Sequence, residues 1–173
     1  MGHSTHPIDE FVALLERAAI EMIADVRRYP GSRRNPQFGS SALARSLQST
    51  GIGYRQLGDS LGGRRSPDPG RADNAAWREP SFRAYADHMS SAEFLAGLEV
   101  LEPMARERRS AIMCAEAHPS RCHRRLIADA LVARGWRVVH LLADGRRETH
   151  ALSPHAVVDA GRVTYPAQPT LGI

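Results

Sequence analysis

The stretch "SAIMCAEAHPSRCHRRLIADALVARGWRVVHLL", residues 110–142, holds the pattern that decides the fold. A short apolar run, 110–114, gives way to a polar loop rich in His and Arg. A segment over 120–135 follows, with Leu126, Ile127, Ala130 and Leu131 at helical spacing, closed by Gly135. The apolar residues of 136–142 then resume a strand. Strand, helix and strand in this order form the repeating unit of a parallel sheet.

The alternation extends toward the N-terminus. "IEMIADV" (20–26) and "IGYRQL" (52–57) read as buried strands. Pro7 lies where a first helical turn tolerates proline, and Phe11, Leu14, Leu15 and Ala18 then recur at helical spacing. Ser40 or Ser41 caps a helix running to about Thr50, which Gly51 ends. Residues 82–89 read as a short helix, and Ser90 with Glu93 forms a capping box for another that reaches about Glu107. Residues 58–80, dense in Gly, Pro, Asp and Arg, read as a long surface loop, and the tail from Ala143 as a short helix at 154–160 plus an edge strand at 162–166. The expectation is an α/β fold: one domain over 1–173, a three-layer sandwich with a mostly parallel sheet, without repeats.

No apolar run is long enough to cross a bilayer, and the N-terminus lacks the basic stretch, apolar core and cleavage site of an export signal. Two cysteines in 173 residues do not make a disulfide framework, so a cytoplasmic protein is expected. All 23 basic residues are arginine, at a net charge of +4. A genome that favours Arg codons explains the absence of lysine, but not the clustering of Arg27, Arg28, Arg33 and Arg34, or of Arg121, Arg124 and Arg125. Guanidinium forks suit phosphates and carboxylates, which points to an anionic ligand.

Polar clusters follow three of the expected strands: His3, Ser4 and Thr5; Asp25, Arg27 and Arg28; Cys114, Glu116 and His118. In a parallel sheet the loops after strand C-termini share one edge, where ligands bind. Cys114 at a strand end, facing a helix start and guanidiniums, has the setting of a thiolate nucleophile, or else it is a small residue finishing a core strand. Cys122 belongs to the expected helix and does a different job. A zinc site on Cys114, His118, Cys122 and His123 is disfavoured by its spacing, because helical Cys122 and His123 point about 100° apart. Asp25 and Arg27 share a face and form an ion pair, or act as a general base beside a phosphate-binding group. Arg33 and Arg34 offer further anion contacts, and cations at 123–125 open a helix whose N-terminus favours an anion.

"GHSTHPIDEFVALLERAAI", "DVRRYPGSRRNPQF", "LGDSLGG" and "CAEAHPSRCHRRLIADALVARGWRVVHL", in this order over about residues 2–142, closely resemble the family called domain of unknown function 488. The resemblance implies an α/β fold and a bacterial, cytoplasmic protein, and it supplies no reaction. Members of that family carry apolar residues ahead of the Gly-His-Ser motif, whereas only Met1 precedes Gly2 here. Either the first strand is vestigial or the start lies upstream.

The reading is an enzyme acting by hydrolysis or group transfer on a phosphate-bearing small molecule or nucleotide at the C-terminal edge of the sheet. Cys114 or Asp25 supplies the reactive group, and His3, Ser4, Arg27, Arg33, Arg34, Glu116, Arg121, His123 and Arg124 bind the substrate. No cofactor, metal or membrane partner is expected. The rivals are a nucleic-acid binding module using the same arginines and a metal or redox module on Cys114 and Cys122.

Overall fold

A computed structural model describes residues 1–31, 33–68, 70 and 72–167. In chain order the elements are α1 (Ile8–Arg17), β1 (Met22–Asp25), α2 (Ser40–Gln48), β2 (Gly53–Gln56), α3 (Gly58–Leu61), α4 (Pro80–His88), α5 (Ala92–Glu107), β3 (Ser110–Met113), α6 (Arg124–Ala133), β4 (Val139–Leu141), β5 (Arg147–Thr149), β6 (Val157–Asp159) and β7 (Arg162–Thr164). Single turns of 3-10 helix lie at Pro36–Phe38 and Pro119–Arg121. The protein is α/β, built on a parallel sheet of order β2-β1-β3.

In the sheet Met22 pairs with Gly53 and Ser110, and Asp25 with Gln56 and Met113. Successive side chains of a strand point to opposite faces, so this register divides the core in two. Ile23 and Met113 join Phe11, Leu14 and Leu15 of α1 and Leu43 and Leu47 of α2 on one face. Ala24 and Cys114 join Leu98 and Leu101 of α5 and Leu126 and Ile127 of α6 on the other. Helices on both faces make the three layers that strand and helix alternation predicts.

The structure departs from the sequence reading where a tertiary contact overrides local pattern. Residues 58–80 open on α3, not on loop, because Gly58 passes against the chain after β1: a Cβ there would lie 1.9 Å from the Arg27 carbonyl oxygen. Farther along, Asn74 is buried, donating to Asp87 at 2.8 Å and accepting from the Tyr165 amide at 3.0 Å. The caps shift by one residue: Gly39 occupies the N-cap of α2, and Ser91 caps α5 by accepting from the Phe94 amide at 3.1 Å. The helix expected over 120–135 is split. Pro119 opens a 3-10 turn, Cys122 is extended (φ −132°, ψ 141°), and α6 starts only at Arg124.

The strand expected at 136–142 shortens to β4 and pairs antiparallel with β5 instead of joining the parallel sheet. The helix expected at 154–160 is a hairpin of β6 and β7. Its turn residues Ala160 and Gly161 both have positive φ (45° and 77°), the geometry that matches the strand twist, and Val157 and Val158 are β-branched. At the other end of the chain, Met1 to Ser4 lie beside β3. Gly2 forms a parallel bridge to Cys114, and the amides of His3 and Ser4 donate to the carbonyls of Cys114 and Ala115 at 2.9 and 3.0 Å.

Candidate functional site

A cleft of about 310 Å³ opens at the C-terminal edge of the sheet. β1 delivers Arg27, Arg28 and Tyr29, the turn after α3 delivers Gly63 and Arg64, and β3 delivers Cys114, Ala115 and Glu116. Arg121, Cys122 and His123 come from the break before α6, and Ser81, Phe82 and Tyr85 of α4 form the far wall. The loops after three parallel strands thus converge where the sequence pattern places a site.

The floor is the cysteine pair. Cys114 ends β3, and the extended backbone at Cys122 turns its side chain out of the helical series and toward Cys114. Both are buried and free of disulfide. The neighbouring Cys122 sulfur, then burial, raises the Cys114 thiol, and Cys114 in turn lowers Cys122. Arg124 further favours charge on Cys122, whose sulfur accepts from Arg124 Nε at 3.3 Å. The more acidic thiol of the two is therefore Cys122, not Cys114, and the expectation that a helical Cys122 is separated from Cys114 is corrected: the two sulfurs lie within 4.8 Å of each other. The separation rested on helical geometry that Cys122 does not adopt.

The walls are cationic and aromatic. Arg28 and Arg64 sit over the Tyr29 ring at 5.8 and 5.9 Å, and Tyr29 is 63% exposed. Arg121 is exposed and, like Glu116, lines the cleft. The residues that sequence reasoning missed here are Tyr29, Gly63 and Arg64. The signal for them was an aromatic beside Arg28 and a double glycine followed by arginine, inside a stretch taken as loop.

Other candidates are committed elsewhere. The Asp25 carboxylate is fully buried and accepts from Arg27 N (3.0 Å), Arg27 Nε (2.8 Å), Arg27 Nη2 (2.5 Å) and the Tyr54 hydroxyl (2.7 Å). Saturated in this way it has no lone pair directed at the cleft, so the ion-pair reading holds and the general-base reading does not fit. His3 stacks on Phe38 at 4.0 Å, donates from Nδ1 to the Ser4 carbonyl at 2.9 Å and accepts at Nε2 from Arg27 at 3.0 Å. Burial, then the Arg27 charge, lower it to about 4, so it is neutral and serves to orient Arg27. Ser4 turns the chain toward α1 with φ 46° and lies outside the cleft lining.

Arg33 and Arg34 are exposed and do not line the cleft either. Arg124 is buried, bonded to Cys122 and to the Glu116 carbonyl, and Arg125 donates to Ser153 at 3.1 Å. Two of the cations that open α6 are thus satisfied within the protein; Arg124, by holding the Cys122 sulfur, meets an internal anion instead of a ligand.

The family model described as Domain of unknown function DUF488 matches residues 7–131. The chain belongs to this family. The matched span contains every residue lining the cleft and ends before β4, so β4 to β7 lie outside it. Comparison with curated proteins found no significant match. Comparison with solved structures found none either. Among the described residues no helix is long and apolar enough to cross a membrane.

Proposed function

We propose that this DUF488 protein is an enzyme whose cleft binds a phosphate-bearing small molecule, best a nucleotide, and acts on it by hydrolysis or group transfer at the Cys114–Cys122 pair. The observation that carries the reading is the convergence of Arg28, Arg64 and Arg121 on one cleft with the exposed Tyr29 ring at its rim. Unlike Arg27, these guanidiniums have no carboxylate partner among the described ion pairs, so apart from Arg28 Nη1, which donates to the Arg64 carbonyl at 3.2 Å, their donors remain for phosphate oxygens. A ring flanked by two arginines offers a stacking surface for a base, and the cleft volume suits a mononucleotide. Bacterial origin and a cytoplasmic location belong to this reading, as the setting in which free thiols persist.

A thermal-shift panel of nucleotides, sugar phosphates and inorganic phosphate tests it. At a hundredfold excess over Kd, a cleft ligand raises Tm by roughly 5–10 °C. Arg64→Ala and Arg121→Ala should each weaken that ligand about ten- to a hundredfold, the worth of a charge-assisted hydrogen bond. A panel without a stabilising ligand contradicts the reading. A nucleic-acid surface would respond differently, with a steep salt dependence and indifference to Cys122→Ser.

A further inference from the structure

We propose that Cys114, Cys122 and His123 form a tetrahedral site for a zinc-class divalent cation, with the fourth position open to the arginine-lined cleft. The two sulfurs and a ring nitrogen lie within 4.8 Å of one another. With metal–sulfur bonds of about 2.3 Å and a metal–nitrogen bond of about 2.0 Å, tetrahedral ligand atoms stand roughly 3.5 Å apart. The Cys122 Sγ to His123 Nδ1 separation of 3.7 Å meets this already. The backbone explains how adjacent residues serve together: Cys122 is extended and His123 is in the αR region, so their side chains are not spread as on a helix.

The surroundings fit as well as the ligands do. His123 Nε2 lies 3.1 Å from the Val26 carbonyl, to which it must donate its proton, leaving the lone pair on Nδ1 directed at the thiols. An imidazole oriented by a carbonyl on its far nitrogen is the usual outer shell of a metal-binding histidine. Arg124 Nε, donating to Cys122 at 3.3 Å, supports a thiolate ligand in the same way. Gly63 supplies a separate observation. A Cβ there would stand 2.9 Å from His123 Nδ1 and 3.3 Å from both Cε1 and Cγ, over the face of the ring, so the glycine leaves the imidazole room for the position in which Nδ1 meets the thiols.

On binding, both thiols release their protons and the imidazole enters neutral, giving two thiolates and one nitrogen. Three protein ligands and one exchangeable position are the arrangement of catalytic rather than structural zinc. Arg64 and Arg121 line the same cleft as the three ligands, so a fourth position open to that cleft can take a water or a phosphate oxygen. The site stands on the floor of the cleft alone and does not require the nucleotide reading.

Cobalt(II) titration of the reduced, chelator-treated protein tests it. The expected result is one equivalent bound, with tetrahedral ligand-field bands and charge-transfer absorption from two thiolates, all displaced by zinc. Cys122→Ser and His123→Ala weaken cobalt by more than about a hundredfold, and Gly63→Ala weakens it with all three ligands present. Cys114→Ser halves the charge-transfer intensity, while His118→Ala changes nothing. Circular dichroism checks that each variant is folded, and the wild-type spectrum decides if one is not. A water-like octahedral spectrum, unchanged affinity in Cys122→Ser, or a protein that takes no cobalt and instead oxidises to a Cys114–Cys122 disulfide overturns the proposal. A wild-type protein that no nucleotide stabilises but that gives the tetrahedral cobalt spectrum marks failure of the anion reading alone, whereas nucleotide stabilisation lost in Arg64→Ala beside an octahedral cobalt spectrum marks failure of this one alone.

Discussion

Arg27 and Arg121 carry the same guanidinium and do opposite work. Arg27 is 6% exposed and closes a bidentate pair with a carboxylate that has no contact with water. Arg121 stands exposed at the cleft with no charged partner among the described ion pairs. Both lie in arginine clusters of the sequence, and composition cannot tell them apart, because the difference arises from Tyr54 and His3, brought in from distant parts of the chain. Removing one partner of a buried ion pair strands the other charge, so Arg27→Ala should cost about 3–5 kcal/mol. Arg121→Ala should stay within about 0.5 kcal/mol of wild type, as exposed positions do. Urea unfolding of the two variants measures both, and equal stabilities would show that Arg27 is not structural.

At the scale of elements, much of the site was legible because strand ends are. The apolar runs closing on Asp25 and Cys114 placed both at the C-terminal edge of the sheet, and β1 and β3 lie there. What local pattern could not show is a break inside a periodic segment. Leu126 to Leu131 read as helix correctly, but nothing between Pro119 and His123 signals that one residue becomes extended, and that residue is Cys122. With the break, a supposed helix-face cysteine becomes half of a thiol pair. The double glycine was visible but read as loop composition; its meaning is close approach, Gly62 against Arg28 and Gly63 against His123. The tail failed for a similar reason, since its valines and turn residues suit a hairpin more than a helix once both turn positions adopt positive φ.

Across the whole molecule, the chain after α6 is fastened by one buried carboxylate. Asp129 accepts from His150 (2.9 Å), the Ser153 amide and hydroxyl (2.9 and 2.6 Å) and the Tyr165 hydroxyl (2.8 Å), and His140 reaches His150 at 2.9 Å. Burial, then the neighbouring His150, lower His140 to about 4, the same value that burial and Arg27 give His3. Both histidines stay neutral in the fold while the unfolded chain protonates them near 6.5. The unfolded state therefore binds more protons between about 6.5 and 4, and stability, full above that window, falls as the pH drops through it. Each shielded histidine contributes a slope of up to about 1.4 kcal/mol per pH unit. Denaturation across that range should show the loss, with a smaller slope in His140→Asn; an unchanged slope would remove His140 from the account.

The central functional proposal is that the cleft is an anion site, and a crystal structure with a nucleoside diphosphate tests it most directly. The account predicts the diphosphate over the Cys114–Cys122 pair, within hydrogen-bond distance of Arg64 and Arg121, with the base against Tyr29. A diphosphate lodged on Arg33 and Arg34 with the cleft empty of it would contradict the account.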